Sequence, residues 1–417
     1  MSVNRAIIWI TNEGLAEGSQ YPCFLQEVLF RPLLRWVSDA LMTSGARSVC
    51  VVRDTDAYDP YITGNLPPEL SDITLLNRRM NGFWDDLERF CSDAGSGYVL
   101  ALTAPALITA HALERMEHAH YETGSCITEL LSDDEQPTGL FGFTGRKTQP
   151  ILNSLRREGD IYKACRSLHA DGHKVGEYFV SDGMGGAARI STAMDLHMVR
   201  RAMQTAVVER HMKAGVQVLD PTHTFIGADV VIGHDTTLLP GVMLYGETVV
   251  GTECEIGPNT VLQSCMIGDG AMINSSQLEG AQVGNNAIVG PYAYVRPGCV
   301  IGNNAKVGNF VELKDTTLGD ASRIPHLSYV GDADVGEKVN IGCGATTVNY
   351  EGREPNKTHI DAGAVIGSNT NLVAPLSVGR GAYTAAGSTI TEDVPPHTLA
   401  IARSKQTNRE NWMNHQR

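Results

Sequence analysis

Most of the side chains that could carry out chemistry lie in the last third of the chain. They are the following polar or charged residues: Arg296, Lys314, Arg323, His326, Tyr329, Asn340, Asn349, Tyr350, Lys357, Ser368 and Arg403. An imidazole can accept a proton near neutral pH, and a guanidinium or ammonium group can pair with phosphate. A single histidine in a β-rich region is more often structural, however, and isolated basic residues are usually solvated. Their roles therefore depend on the elements that position them.

The region that contains these residues follows a six-residue repeat. A branched residue recurs at Ile226, Ile232, Leu238, Leu244, Val250, Ile256 and Leu262, at Val283, Val289, Val295, Ile301 and Val307, and at Ile360, Ile366, Leu372, Val378, Thr384 and Ile390. Glycine directly follows many of these positions. Helices and alternating strands have other periods, whereas three hexads make one triangular coil of a parallel β-helix. The repeat predicts such a prism, with the branched side chains inside.

The repeat is interrupted at two places. From Thr347 to Ile360 the step is thirteen residues, which predicts a loop that leaves the prism. Loops on a rigid scaffold are common positions for binding and catalytic residues. The second interruption, from Val307 to Leu318, contains Glu312 and Lys314.

The first half of the chain has a different pattern, in which short strands alternate with helices. We predict strands at 6–10, 48–52 and 98–102 and helices at 32–44, 82–92 and 108–120, an order typical of a doubly wound parallel sheet. The predicted organisation is an α/β domain over 1–190, a connecting helix within 191–216, a β-helix over 217–402 and a tail over 403–417.

Composition limits the class of protein. The net charge of -14 and the lack of a basic stripe argue against a nucleic-acid binder. Nine cysteines, an odd number and without a C-x-x-C pair, predict buried free thiols in a reducing compartment. The apolar run Ala6–Ile10 is too short for a signal peptide or a membrane span. We therefore expect a cytoplasmic protein that is not inserted in a membrane.

The histidines do not suggest a metal site. His111 and His118 share a helix face, but His120 does not, and no acidic residue or cysteine completes a ligand set. We interpret this trio as a solvated helix face. The histidines of the repeat region are too scattered for the zinc site of a γ-type carbonic anhydrase.

Several long motifs resemble one bacterial enzyme family. They read NFVELK (309–314), HLSYVGDADVGEKVNIGCG (326–344), TTVNYEG (346–352), IGSNTNLVAP (366–375), AAGSTIT (385–391) and LAIARSKQ (399–406). They are similar to the acetyltransferase half of the bifunctional N-acetylglucosamine-1-phosphate uridyltransferase/glucosamine-1-phosphate N-acetyltransferase, the GlmU family. This resemblance implies acetyl-CoA-dependent acetylation of glucosamine 1-phosphate, in the synthesis of cell-wall sugar nucleotides. It also implies a left-handed β-helix and a homotrimer.

The resemblance also implies roles for single residues. The family's catalytic base falls on His326. Its sugar-phosphate ligands fall on Arg296, Lys314, Tyr329 and Asn340, and its acetyl-CoA contacts fall on Cys343, Asn349, Tyr350, Ser368, Ala386 and Arg403. Two positions depart from the family pattern. Cys343 replaces an alanine, which we interpret as packing rather than chemistry, and Pro355 replaces a loop lysine that Lys357 could substitute.

The same resemblance implies a Rossmann-like nucleotidyltransferase fold for residues 1–190, but the family's functional groups are missing there. Asn12 and Ala16 replace a glycine and an arginine of the phosphate-binding loop, and Cys23 replaces a lysine. Thr103 stands where the family has a metal-binding aspartate, and the second metal ligand falls near Ser191 or Thr192. We therefore expect a degenerate domain without Mg²⁺ or uridyl transfer.

Two alternatives remain open at this point. The chain could be a bifunctional enzyme that also makes UDP-N-acetylglucosamine from UTP. It could instead be a non-catalytic scaffold or regulator that binds sugar nucleotides, although the retention of His326, Asn340 and Arg403 argues against that.

Overall fold

The computed structural model describes residues 3–10, 21–132, 134–179, 186–410 and 412. The chain divides into two compact units, Met1–Met203 and Gln204–Arg417. The dividing point lies inside the helix Ala193–Lys213, which was predicted as the connector. The finer domain bounds given above stay a prediction.

The first unit is built on a mixed sheet of seven described strands. Their spatial order is Val175–Phe179, Ile127–Leu131, Pro137–Thr144, Tyr98–Leu102, Val3–Ile10, Ser48–Arg53 and Asp72–Asn77. Pro137–Thr144 is antiparallel to both of its neighbours. The prediction of an all-parallel sheet is therefore wrong at this strand. The physical reason is a tight turn, in which the Ser132 N–H donates to the Gln136 carbonyl at 2.8 Å, because a parallel pair needs a crossover of a dozen or more residues.

Helices cover both faces of this sheet. They are Leu33–Thr43, Asp59–Gly64, Phe83–Ser92, Ala110–Thr123, Thr148–Glu158 and Ile161–Ala170. Short strands pair Ala106–Ile108 with Ala187–Arg189 and Glu27–Val28 with Arg31–Pro32. Successive strand residues point to opposite faces, so Ile8 joins one hydrophobic core and Ile7 joins the other.

The second unit is the left-handed parallel β-helix that the sequence predicts, and 26 described strands form it. We name its three faces by the order in which the chain meets them. Face 1 contains Gln217–Val218, Thr237–Leu238, Glu255–Ile256, Met272–Ile273, Ile288–Val289, Asn340–Ile341, Val365–Ile366, Tyr383–Thr384 and Leu399–Ala400. Face 2 contains Phe225–Ile226, Met243–Tyr245, Val261–Gln263, Gln277–Glu279, Tyr294–Val295, Thr346–Val348, Asn371–Val373 and Thr389–Ile390. Face 3 contains Val231–Ile232, Val249–Val250, Met266–Ile267, Gln282–Val283, Val300–Ile301, Thr358–Ile360 and Leu376–Val378.

Two longer strands, Lys306–Leu318 and Arg323–Val335, pass through all three faces. The predicted interruption from Val307 to Leu318 is therefore wrong. Leu313 lies between these residues and is fully buried, so the spacing is six and then five residues. The corner absorbs the missing residue, as it does between Leu262 and Ile267.

The interruption after Thr347 does produce a loop. The chain leaves the prism at Asn349 and returns at the strand Thr358–Ile360. The loop closes through a bridge between Tyr350 and Pro355 and a 2.7 Å hydrogen bond from the Asn356 N–H to the Asn349 carbonyl. Within the residues that the structure describes, no helix has the length and apolar character that a membrane span requires.

Candidate acetyl-transfer site

The predicted base and three of the predicted acetyl-CoA residues lie on one edge of the prism, between face 1 and face 2. Each comes two positions after an inward-facing residue of face 1, and together with Asn309 they form what we call the edge column: Asn309, His326, Cys343, Ser368 and Ala386. Backbone hydrogen bonds of 2.8 Å connect Asn369 with Cys343 and Gly387 with Ser368, so successive coils bring these residues side by side.

His326 is exposed on this column and is oriented by Asn309. Its Nδ1 lies 2.7 Å from the Asn309 Oδ1. An amide oxygen can only accept a hydrogen bond, so this contact requires a proton on Nδ1 and leaves Nε2 of the neutral ring free to accept one. Asn309 begins the NFVELK motif, but sequence reasoning assigned it no role.

Cys343 is exposed, so the interpretation of this residue as packing is wrong. The prediction of buried free thiols is confirmed for seven of the nine cysteines, whereas Cys165 is intermediate and Cys343 is exposed. Ser368 and Ala386 are exposed on the following coils. Arg403 reaches the end of the column, where its Nη1 donates to the Ala386 carbonyl at 3.1 Å.

Three predicted sugar-phosphate ligands lie on face 2, and each cation has an acidic partner. Arg296 forms an ion pair with Glu312 and lies over the Tyr294 ring, 5.4 Å from its centroid. The Lys314 Nζ lies 3.0 and 3.1 Å from the two carboxylate oxygens of Asp332. This hydrogen bond raises the pKa of Lys314 above its ordinary value, so the ammonium stays charged.

Asp332 also contacts a predicted acetyl-CoA residue. Asn349 Nδ2 donates to Asp332 Oδ2 and lies 3.4 Å from the Tyr329 hydroxyl. The Tyr329 side chain lies over the backbone of Gly331. Glycine is needed at this position, because a Cβ there would stand 2.3 Å from the Tyr329 hydroxyl oxygen. Sequence reasoning missed Asp332, although the HLSYVGDADVGEKVNIGCG motif contains it.

The remaining predicted residues do not join this group. Asn340 is exposed on face 1, in register with Arg323 and Val365, across the edge column from Lys314. Lys357 instead lies 3.4 Å from Asp334. Tyr350 is exposed on the loop.

A ridge of exposed apolar side chains follows the edge column. It consists of Tyr292, Phe310 and Leu327, which are 61%, 58% and 58% exposed. The rings of Tyr292 and Phe310 are stacked, with centroids 5.6 Å apart. Apolar surface of this kind, beside polar site residues, is typical of interaction sites.

The nucleotidyltransferase positions of the first unit lack charged metal ligands. Asn12 and Ala16 lie outside the described residues. Cys23 is buried, which raises its pKa to about 12, so its thiol is neutral. The Thr103 hydroxyl donates to the Gly139 carbonyl at 2.9 Å. Ser191 and Thr192 are exposed, and their N–H groups donate to a carboxylate oxygen of Asp195.

The described residues do not form a metal site. Among them, no group of three or more His, Cys, Asp or Glu could hold a metal ion. The thiol of Cys23 and the hydroxyls of Thr103, Ser191 and Thr192 do not fit Mg²⁺, which prefers carboxylate oxygens.

The histidine trio of this unit is only partly a solvated face. His111 and His118 are exposed, but His120 is 2% exposed. Its Nδ1 lies 2.9 Å from the Thr128 hydroxyl, and burial lowers its pKa to about 4. The interpretation is wrong for His120 because this position shares the helix face that packs on the sheet, with Leu113.

The chain is similar to known transferases. A family profile described as bacterial transferase hexapeptide (six repeats) matches residues 223–264 and 280–315. A protein of Brevibacillus brevis named Bifunctional protein GlmU is 44% identical over an alignment of 458 positions, which covers 99% of this chain and 98% of that protein. A protein of the same name from Thermoanaerobacter pseudethanolicus is 35% identical over an alignment of 447 positions, which covers 96% of this chain and 95% of that protein.

Proposed function

This chain belongs to the GlmU family, and from that premise we propose that it transfers the acetyl group of acetyl-CoA to the amine of glucosamine 1-phosphate. The edge column is the observation that supports this proposal most. It contains an oriented imidazole on the same edge as the predicted acetyl-CoA residues, and two of the predicted phosphate-binding cations lie on the next face, face 2. A non-catalytic scaffold would have no need of the Asn309–His326 contact.

In the proposed reaction, the amine nitrogen attacks the thioester carbonyl carbon, the new C–N bond forms and the C–S bond breaks. His326 Nε2 takes the proton that the amine loses and passes it to the departing sulfur, so that CoA leaves as the thiol and the imidazole is neutral again. Arg296 and Lys314 hold the phosphate dianion, with Tyr329 and Asn340 as further ligands of the sugar phosphate. Cys343, Asn349, Tyr350, Ser368, Ala386 and Arg403 contact acetyl-CoA.

The proposed assembly is a homotrimer in which neighbouring prisms border each site. The apolar ridge of Tyr292, Phe310 and Leu327 supports this, because it lies beside the edge column and exposes large side chains. The free cysteines support a reducing, cytoplasmic location.

For the first unit we propose a domain that has lost uridyl transfer. The neutral Cys23 thiol and the Thr103 hydroxyl support this, because phosphoryl transfer depends on cations and metal-bound carboxylates. The second candidate is a bifunctional enzyme that also makes UDP-N-acetylglucosamine, which the name of both relatives favours.

Purified full-length protein should be assayed with acetyl-CoA and a panel of amino-sugar phosphates, with release of the CoA thiol as the readout. We expect turnover with glucosamine 1-phosphate and a trimer by light scattering. No thiol release with any amino-sugar phosphate would contradict the proposal.

A further inference from the structure

We propose that Asp332 is a positioning residue, which holds Lys314 and Asn349 through one buried carboxylate and so connects the two substrate subsites. The identity of the two ligands, a sugar phosphate at Lys314 and acetyl-CoA at Asn349, rests on the proposed function. The connection itself rests on the contacts of Asp332.

The carboxylate of Asp332 has partners on both sides. Lys314 Nζ donates to both oxygens, at 3.0 and 3.1 Å, and Asn349 Nδ2 donates to Oδ2. The Asp332 side chain is only 6% exposed. A buried carboxylate needs such donors, because an unpaired charge away from water is costly. Each donor is therefore held where the carboxylate requires it.

The backbone beneath Asp332 is fixed as well. The Gly331 N–H donates to the Thr347 hydroxyl at 2.7 Å, and this hydroxyl donates to the Gly331 carbonyl at 2.9 Å. Thr347 is the last inward-facing residue before the loop, and Asn349 begins the loop. Asp332 thus connects the first loop residue to face 2.

The other acidic residues near the predicted site cations are more exposed. Glu312, which pairs with Arg296, has a side chain 35% exposed, and Asp334, which pairs with Lys357, has one 44% exposed. Solvent weakens such ion pairs, so their contribution is small. Asp332 is the acid whose loss should move its partners most.

The first test is the full-length Asp332→Asn variant, in which the amide can accept from one partner but presents its NH₂ to the other. We expect calorimetric Kd values for CoA alone and for glucosamine 1-phosphate alone to rise by about tenfold or more each, the loss typical of a charge-assisted hydrogen bond. The kcat at saturation should change much less, because no contact joins Asp332 to His326. A rise of the Kd for only one of the two ligands would overturn the proposal.

The matched control is Asp320→Asn. Asp320 also accepts hydrogen bonds on the prism, from the Asn303 N–H at 2.7 Å, but at a corner outside the site. Both Kd values should stay at their wild-type level in this variant. If both variants bound the two ligands equally weakly, the effect would not be specific to Asp332, and the proposal would be overturned.

A second variant, Lys314→Met, tests the connection between the two subsites if Asp332→Asn does not fold. Because Lys314 and Asn349 share one carboxylate, Lys314→Met should weaken CoA binding by about threefold or more, as expected for residues in one hydrogen-bonded network. Unchanged CoA affinity in Lys314→Met would mean independent subsites and would overturn the proposal.

The labelling of Lys314 by an amine-specific reagent separates this inference from the proposed function. Asp332 raises the pKa of Lys314, so a larger fraction of Lys314 should be the reactive free amine in Asp332→Asn. We therefore expect the reagent to label Lys314 faster in this variant than in wild type, as measured by mass spectrometry. If wild type does not acetylate glucosamine 1-phosphate, the proposed function fails. Faster labelling, with weaker CoA binding, would still support the positioning role, and unchanged labelling would overturn it.

Discussion

The imidazole of His326 is oriented by a residue of the preceding coil, Asn309, rather than by a neighbour in sequence. This contact decides which ring nitrogen can act as a base. The next member of the edge column is Cys343, on the following coil. Two predictions belong to this scale, one for the base and one for the thiol.

Replacement of His326 by alanine should lower kcat by about 10²–10⁴-fold, the usual contribution of a general base. The calorimetric Kd for CoA should change little, because the proposed acetyl-CoA contacts remain. His234→Ala is the matched control, since His234 is an exposed prism histidine that pairs with Asp235 instead. Wild-type turnover in a folded His326→Ala variant would remove His326 as the base.

Alkylation of Cys343 should block acetyl transfer. N-ethylmaleimide reacts with accessible thiols, and Cys343 is exposed, whereas burial raises the pKa of the partly accessible Cys165 to about 12. We expect loss of most activity in wild type, protection by acetyl-CoA, and resistance in Cys343→Ala. Equal inactivation of Cys343→Ala would place the sensitive thiol elsewhere.

At the scale of elements, the strand Ile127–Leu131 contains a buried acid. Glu129 is 8% exposed, and it lies opposite Glu177 of the neighbouring strand. Burial, and to a smaller extent the charge of Glu177, raises the pKa of Glu129 to about 7. The carboxyl group is therefore partly protonated near neutral pH.

This acid gives the first unit a pH-dependent stability. The unfolded carboxyl group titrates at lower pH than the folded one, so the folded state binds more protons between pH 4.5 and about 7. The free energy of unfolding should fall by about 2–3 kcal/mol as the pH rises through this window. Scanning calorimetry should show Glu129→Gln increasingly more stable than wild type from pH 5 to 8.

The comparison between variant and wild type removes the contribution of His120. Its pKa is lowered to about 4, so this histidine makes stability rise with pH between about 4 and 6.5 in both proteins. A constant difference between Glu129→Gln and wild type across the pH range would contradict the raised pKa of Glu129.

At the scale of the whole molecule, the two units differ in the residues that they hold at the site positions predicted from the family. The prism has an oriented histidine and two cations in predicted site positions. In the described part of the first unit, the corresponding positions hold Cys23 and Thr103. This contrast leads to a prediction about which activity survives.

We expect no pyrophosphate release from UTP, N-acetylglucosamine 1-phosphate and Mg²⁺, while the same preparation acetylates glucosamine 1-phosphate. Loss of one charge-stabilising group typically lowers a rate about 10²–10³-fold, and several such groups are replaced here. Calorimetry with UTP and Mg²⁺ should show no binding. Sustained pyrophosphate release would establish the bifunctional alternative.

The sequence by itself determined the prism and the order of its coils. The six-residue repeat is a local rule, because each inward branched residue fills the layer of its own coil. The same spacing could have identified the edge column, whose members all come two positions after an inward residue of face 1. It also predicted the loop after Thr347, because a thirteen-residue step cannot fit one hexad.

Only the tertiary structure decided which side chains meet across coils. The paired coils are offset by different numbers of residues, with Leu244 opposite Leu262 and Leu313 opposite Val330. Corners absorb these differences, so the contacts of Asp332 with Lys314 and Asn349 could not be read from a constant period. The direction of the antiparallel strand Pro137–Thr144 also depends on tertiary structure, because the turn between Ser132 and Gln136 sets it. Such pairings depend on corner and turn geometry, whereas the repeat depends only on which side chains must be buried.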